Sequence, residues 1–194
     1  SYLLRNDGGK FTDITDAYAK GLKFAGMVTD ALWTDTDGDD FLDLLLVGEF
    51  MPITLFRNTG EALVKAETGL ENFSGWWNSL VAADFDNDGD IDYVAGNLGT
   101  NNFYNATDTR PLRVYAKDLD GNGSIDAILS CYFKSEEGDL REYPVHFWDE
   151  LNSQSPRFRK QFSSYKQYGK TTMDKLLLPY DTSGMLKLKM NHPY

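Results

Sequence analysis

One cysteine, Cys131, is all the sequence holds, so no internal disulfide framework and no cysteine-based zinc site can form within its 194 residues. It stands in the apolar run Ala127-Ile128-Leu129-Ser130-Cys131-Tyr132-Phe133, where no neighbour would depress a thiol pKa, and it reads as a buried structural residue rather than a nucleophile. Histidine is almost as scarce: His146 and His192 are the two present, and neither sits in a metal or nucleophile motif. A phosphate-binding glycine loop and a dinucleotide fingerprint are missing, because the Gly-rich turns follow strands and precede more strands. No apolar run approaches the roughly 20 residues that a membrane-spanning helix needs. The first ten residues lack a charged-then-apolar leader pattern, so the expectation is a soluble chain that is mature, trimmed or cut from something longer. Positive charge is also in deficit. With 19 basic residues against 30 acidic ones the net charge is −11, which argues against nucleic acid as a partner, since phosphate binding needs a basic surface.

What the chain does have is 41% hydrophobic and 14% aromatic residues, the composition of a folded globular protein. Its acids are concentrated. Three windows, 35–43, 84–92 and 118–126, hold 13 of the 30 acidic residues, and the remainder of the chain is close to neutral. Aligned on these windows, the sequence repeats one grammar of short apolar run, Asp loop and short apolar run. The first copy runs Ala31-Leu32-Trp33-Thr34, the loop 35–43, then Leu44-Leu45-Leu46-Val47; the second and third have the same plan around 84–92 and 118–126. The flanking runs are four to six residues long, β-branched or aromatic, and bounded by turn residues, which is the character of strands. Each loop therefore ties a hairpin. Two further strand pairs with Gly turns are expected at Tyr2–Phe11 and Ile53–Val64.

Alternating Asp residues in a tight loop aim their carboxylates at one point, and calcium is the hard cation that takes six to eight such oxygens. Positions 1, 3 and 5 offer side-chain oxygens, position 7 a backbone carbonyl and position 9 a carboxylate. The first site would use Asp35, Asp37, Asp39, the Phe41 carbonyl and Asp43. The second would use Asp84, Asp86, Asp88, the Asp90 carbonyl and Asp92; the third would use Asp118, Asp120, Asn122, the Ser124 carbonyl and Asp126. Position 6, where the chain turns sharply, is Asp40, Gly89 and Gly123 in turn, so the first loop departs slightly. An EF-hand starts the same way but ends in Glu at position 12 and is flanked by helices. Position 12 here is Leu46, Ala95 and Leu129, which leaves the Asp at position 9 to close each site.

These loops, with Leu4-Arg5-Asn6-Asp7-Gly8-Gly9-Lys10-Phe11 and Gly96-Asn97-Leu98-Gly99-Thr100-Asn101, resemble the FG-GAP/VCBS repeat of integrin-α-like propellers over residues 1 to about 135. The wording is similar to that of large secreted or surface VCBS-repeat proteins of Bacteroidetes-type bacteria. The resemblance implies a mainly β fold of β-propeller-type four-stranded blades, the calcium loop joining the first two strands of each blade. The loop-to-loop spacing of 49 and then 34 residues is irregular, and three loops are fewer than a closed propeller needs.

After Tyr143 the composition shifts to Lys, Gln, Ser and aromatics. Domains are accordingly expected at 1–143, the blades, and 144–194, a partly helical extension packed on them. Ser155-Pro156 signals a helix start, and Phe158, Phe162, Tyr165 and Tyr168 follow at helical spacing, which predicts an amphipathic helix of about three turns before Gly169. A second short helix is expected from Thr171 or Thr172, with Met173, Leu176 and Leu177 on one face. Of the adjacent Trp76 and Trp77, strand geometry requires one to leave the core. The expected function is a calcium-stabilised, non-catalytic binding or scaffolding module, extracellular, at the cell surface or periplasmic, with a glycan or protein ligand and no membrane span. The alternative is a fragment of a secreted carbohydrate-active enzyme, such as a polysaccharide lyase with a calcium-bearing propeller.

Overall fold

The computed structural model describes residues 1–190 and is mainly β, with antiparallel sheets and a few short helices. His192 lies outside the described residues. Two compact units are resolved, one spanning Ser1–Gly99 and the other beginning at Thr100.

The first unit opens with the hairpin β1 (Leu4–Asp7) and β2 (Lys10–Asp13), turned by Gly8 and Gly9, and the one-turn helix α1 (Thr15–Tyr18) follows. The strands β3 (Met27–Thr34), β4 (Asp43–Pro52), β5 (Thr54–Asn58) and β6 (Leu63–Lys65) then form an antiparallel meander of four. The far end of β4 also pairs with β7 (Ser74–Ala83), and β7 pairs with β8 (Asp92–Asn97), extending the sheet to six strands. β4 is buried on both faces, which is why its sequence reads as an unbroken apolar run rather than an alternating one. Leu44 and Leu46 point into one core with Leu22, Phe56 and Leu63, while Leu45 and Val47 point into another with Leu55, Trp77 and Leu80. Each such side chain, fully buried, contributes about 1.5–3 kcal/mol.

Where β4 changes partner, Phe50 takes a left-handed conformation, φ 54°, at a break in register with β7. That conformation costs a non-glycine residue roughly 1–2 kcal/mol. It is offset by packing, because the Phe50 side chain is buried and its ring lies 5.4 Å from that of Trp76. The two tryptophans divide as strand geometry requires: Trp77 enters the core and Trp76 turns to Phe50.

In the second unit β9 (Leu112–Lys117), β10 (Asp126–Lys134) and β11 (Leu140–Pro144) are followed by the helices α2 (Trp148–Gln154), α3 (Pro156–Gln161), α4 (Tyr165–Tyr168) and α5 (Met173–Leu177). A last strand, β12 (Leu186–Met190), pairs with the outer side of β9, so the sheet order is β11-β10-β9-β12. Leu151, Phe158 and Leu176, all at 0% exposure, share one core with Tyr115, Leu119 and Ile128 of the sheet side.

The helix of about three turns expected from Ser155 to Gly169 is two pieces. Phe162 is extended (φ −123°, ψ 145°), and Ser164 restarts the helix by accepting the Gln167 N–H at 3.3 Å. A serine side chain competes for backbone donors and so favours the cap over the helix interior. The aromatic residues that suggest one helix still gather in one place, around Trp148, whose ring lies edge-on to Phe162 at 6.1 Å and to Tyr165 at 5.1 Å. The helix α2 and the strand β12 carry no strong sequence signal. The second short helix begins where expected, with Thr172 at its N-cap.

Candidate metal centres

All three acidic loops leave and rejoin their ladders on the same rung. The last paired residues are Thr34 with Asp43, Ala83 with Asp92 and Lys117 with Asp126, so the ninth loop position is in each case the first residue of the returning strand. Strands flank every loop on both sides, and the helix-flanked EF-hand geometry does not occur at any of them.

Between these rungs a common hydrogen-bond skeleton folds the loop inward. The position-1 carboxylate accepts the N–H of position 6: Asp40 to Asp35 at 3.0 Å, Gly89 to Asp84 at 3.1 Å and Gly123 to Asp118 at 2.9 Å. The position-5 side chain accepts the N–H of position 7: Phe41 to Asp39 at 2.9 Å, Asp90 to Asp88 at 2.9 Å and Ser124 to Asn122 at 2.7 Å. The position-9 carboxylate accepts the N–H of position 2: Thr36 to Asp43 at 3.1 Å, Phe85 to Asp92 at 3.0 Å and Leu119 to Asp126 at 2.8 Å. To close these rings the chain adopts positive φ twice per loop, at position 6 and also at position 4, which is Gly38, Asn87 and Gly121. Asp40 takes position 6 of the first loop at φ 68°, a conformation that Asp and Asn tolerate better than most side chains.

The result is convergence of oxygens. Asp35, Asp37 and Asp39 in the first loop, Asp84, Asp86 and Asp92 in the second, and Asp118, Asp120 and Asp126 in the third each bring carboxylate oxygens within 4.8 Å of one another. The donor set is hard oxygen throughout, with no imidazole or thiolate, which fits calcium rather than zinc or copper. Asp43, Asp88 and Asp90 stand outside these groups. Asp43 is fully buried; Asn58 donates its N–H to Oδ1 at 2.7 Å, and the Thr36 hydroxyl joins the Thr36 N–H on Oδ2. Asp37 is held in addition by the Arg57 guanidinium at 3.1 Å.

Charge is managed differently within the loops. Partial burial opposes ionisation of Asp35, yet the N–H groups of Asp40, Gly38, Asp37 and Asp39 outweigh it and hold its carboxyl below the usual range. The Gly123 N–H, with those of Gly121 and Asn122, does the same for Asp118 against its own desolvation. Asp126 goes the other way: burial raises it, and the nearby Asp120 and Asp118 add to the effect while the Leu119 N–H resists.

Sequence spacing does not reveal the residues that brace the loops. The third loop is tied to the helical segment by Ser155, whose buried hydroxyl donates to Asp120 at 2.9 Å, and by Arg157, which donates to the Leu119 carbonyl at 3.1 Å. Gln154 accepts the Ala127 N–H at 2.8 Å beside them. Asn58 braces the first loop a second time through a 3.0 Å bond to the Leu42 carbonyl. The histidine that is described, His146, faces Glu150 at 3.6 Å and lies at none of these loops.

Antiparallel hairpins tipped by nine-residue acidic loops thus define the class of protein. Within it, residues 35–95, which span the first two loops, match the FG-GAP-like repeat. Such repeats are typical of extracellular and cell-surface proteins and often bind calcium. No curated protein and no solved structure matches the chain. Among the described residues no helix is long and apolar enough to cross a membrane.

Proposed function

We propose that the chain is a calcium-stabilised, non-catalytic binding or scaffolding module of a secreted or cell-surface protein. The observation that carries this reading is the threefold recurrence of one loop geometry, same rung, same hydrogen bonds and converging carboxylates, at hairpin tips within and beyond the family match. In this reading the β3–β6 meander is one four-stranded propeller blade with its calcium loop between the first two strands, and the β7–β8 and β9–β11 hairpins belong to further blades.

Calcium would be held by Asp35, Asp37, Asp39, the Phe41 carbonyl and Asp43 in the first loop. In the second it would be held by Asp84, Asp86, Asp88, the Asp90 carbonyl and Asp92, and in the third by Asp118, Asp120, Asn122, the Ser124 carbonyl and Asp126. Asp92 accepts an N–H bond on one oxygen and keeps lone pairs for an ion, whereas Asp43 has donors on both oxygens and offers the lone pair that remains on Oδ1. An ion at each tip would neutralise three to five carboxylates that otherwise repel one another, so calcium binding stabilises the hairpins. The affinity expected of such extracellular sites is on the order of 10⁻⁴ to 10⁻³ M or tighter. Calorimetric melting with calcium and with chelator tests the reading: calcium raises the melting temperature, and Asp86→Ala or Asp92→Ala lowers it in calcium while narrowing the gap to the chelated protein. A wild-type melt that is the same in calcium and in chelator would falsify it.

A further inference from the structure

We infer that a cavity in the second unit, between the β10–β11 hairpin and the turn joining α4 to α5, binds a carboxylate-bearing saccharide, one uronate residue of an acidic polysaccharide. The inference rests on the binding-module reading and gives it a ligand class and a place.

The cavity has a volume of about 520 Å³, within the range that encloses a small ligand or a sugar unit or two. Its charge runs against the rest of the molecule. On a chain of net charge −11, the wall carries Lys134, Arg141, Lys170 and Lys175 against Glu136 and Glu137. Two of the cations are held at the surface: Lys170 pairs with Glu136 at 2.6 Å, and Arg141 with Glu137 at 2.9 Å and Asp139 at 3.2 Å, all through exposed side chains. Exposed pairs of this kind are worth only about 0–1 kcal/mol, so an incoming anion can replace any of these carboxylates at little cost. The ammonium groups of Lys134 and Lys175 form no ion pair among the described residues.

The remaining groups favour a sugar over an acidic peptide. Phe133 and Tyr143 line the same cavity with ring centroids 6.5 Å apart, and Phe133 is exposed, giving apolar surface against which a sugar's C–H face can rest. Glu136 and Glu137, once displaced from their cations, accept hydrogen bonds from the hydroxyls of a sugar, which the side chains of an acidic peptide lack. Strand addition, the usual way in which a peptide joins a sheet, is also obstructed. Among the described residues β11 is an edge of its sheet, and it ends in Pro144, which has no N–H to offer. Cations for one carboxylate, acceptors for several hydroxyls and an aromatic flank together are the recognition chemistry of a uronate ring.

The test is isothermal titration of the full chain, at fixed calcium, with trigalacturonate, with the uncharged trigalactoside and with an all-glutamate peptide. Trigalacturonate is expected to bind, more weakly as salt is raised, and the other two to give no measurable heat. The double variant Lys134→Glu with Lys175→Glu, and separately Phe133→Ala, should each weaken trigalacturonate binding by about tenfold or more, the loss of one or two contacts. Both keep the wild-type melting response to calcium, since the altered side chains are exposed, and that response separates failure of this site from failure of the calcium reading. Wild-type protein that ignores trigalacturonate, equal binding of the peptide, or unchanged binding by both variants overturns the inference.

Discussion

Thr34 and Tyr93, 59 residues apart in sequence, share a hydrogen bond of 2.7 Å between their hydroxyls. Thr34 ends β3 just before the first acidic loop, and Tyr93 follows Asp92 at the start of β8 just after the second, so one bond joins the bases of two hairpin tips. Thr34 is buried, and losing its partner leaves the hydroxyl without compensation. Tyr93→Phe should therefore cost about 1–3 kcal/mol, and adding Thr34→Val should cost much less than its own single effect. Urea denaturation of the two single variants and the double variant measures this coupling; strict additivity would show that the bond does not form in solution.

Asp43 and Asp37 occupy the same loop but differ in what depends on them. Asp43 is buried and receives donors from Thr36 and Asn58, whereas Asp37 is partly exposed and pairs with Arg57. Asp43→Ala strands several buried donors and should destabilise the first unit by about 2–4 kcal/mol even in chelator, with a further loss in calcium, where it also removes a ligand. Asp37→Ala should do so in calcium only. Melting of both variants under both conditions decides the matter, and a loss for Asp43→Ala that is confined to calcium would assign it to the ion alone.

Ser155 fixes one carboxylate of the third loop from a helix cap, through a bond whose donor is completely buried. Ser155→Ala should cost about 1 kcal/mol and lower calcium affinity at that loop, because Asp120 then loses its orientation. The readout is calcium titration of the variant on a background in which Asp86→Ala has weakened the second loop. Unaltered titration would make Ser155 a packing residue only.

The thiol of Cys131 is pushed up to about 12, chiefly by burial, with the Glu142 carboxylate adding to it. Deprotonation is disfavoured in the fold across neutral and mildly alkaline pH, so the native protein should react with a thiol-specific disulfide reagent at pH 8 only as fast as it unfolds. Adding denaturant should release one equivalent at once. Rapid labelling of native protein would contradict the buried placement.

The loops are legible in the sequence because alternating oxygen donors, with Gly at the turning points and strand-like runs on both sides, form a pattern that a hard cation requires and an ordinary acidic turn does not. The positive φ at position 4 is a second turning point, beyond the one expected at position 6, and Gly38, Asn87 and Gly121 all suit it. What spacing cannot reveal has a common cause. Asn58, Ser155 and Arg157 reach their loops across 15 residues or more, as Asn58 does to Asp43, and long-range contact leaves no periodic trace. The broken helix after Gln161 shows the opposite failure: Phe158, Phe162, Tyr165 and Tyr168 keep helical spacing, but Ser164 offers a local cap that outcompetes continuity.

Every acidic tip departs and returns on equivalent rungs, but the third tip also sends Leu119 into the core, where the second has the exposed Phe85. Exchanging the segment 118–126 for 84–92 preserves strand register on both sides. Substitution at the apex alone can thus change the oxygens that one tip presents, leaving the ladder beneath untouched.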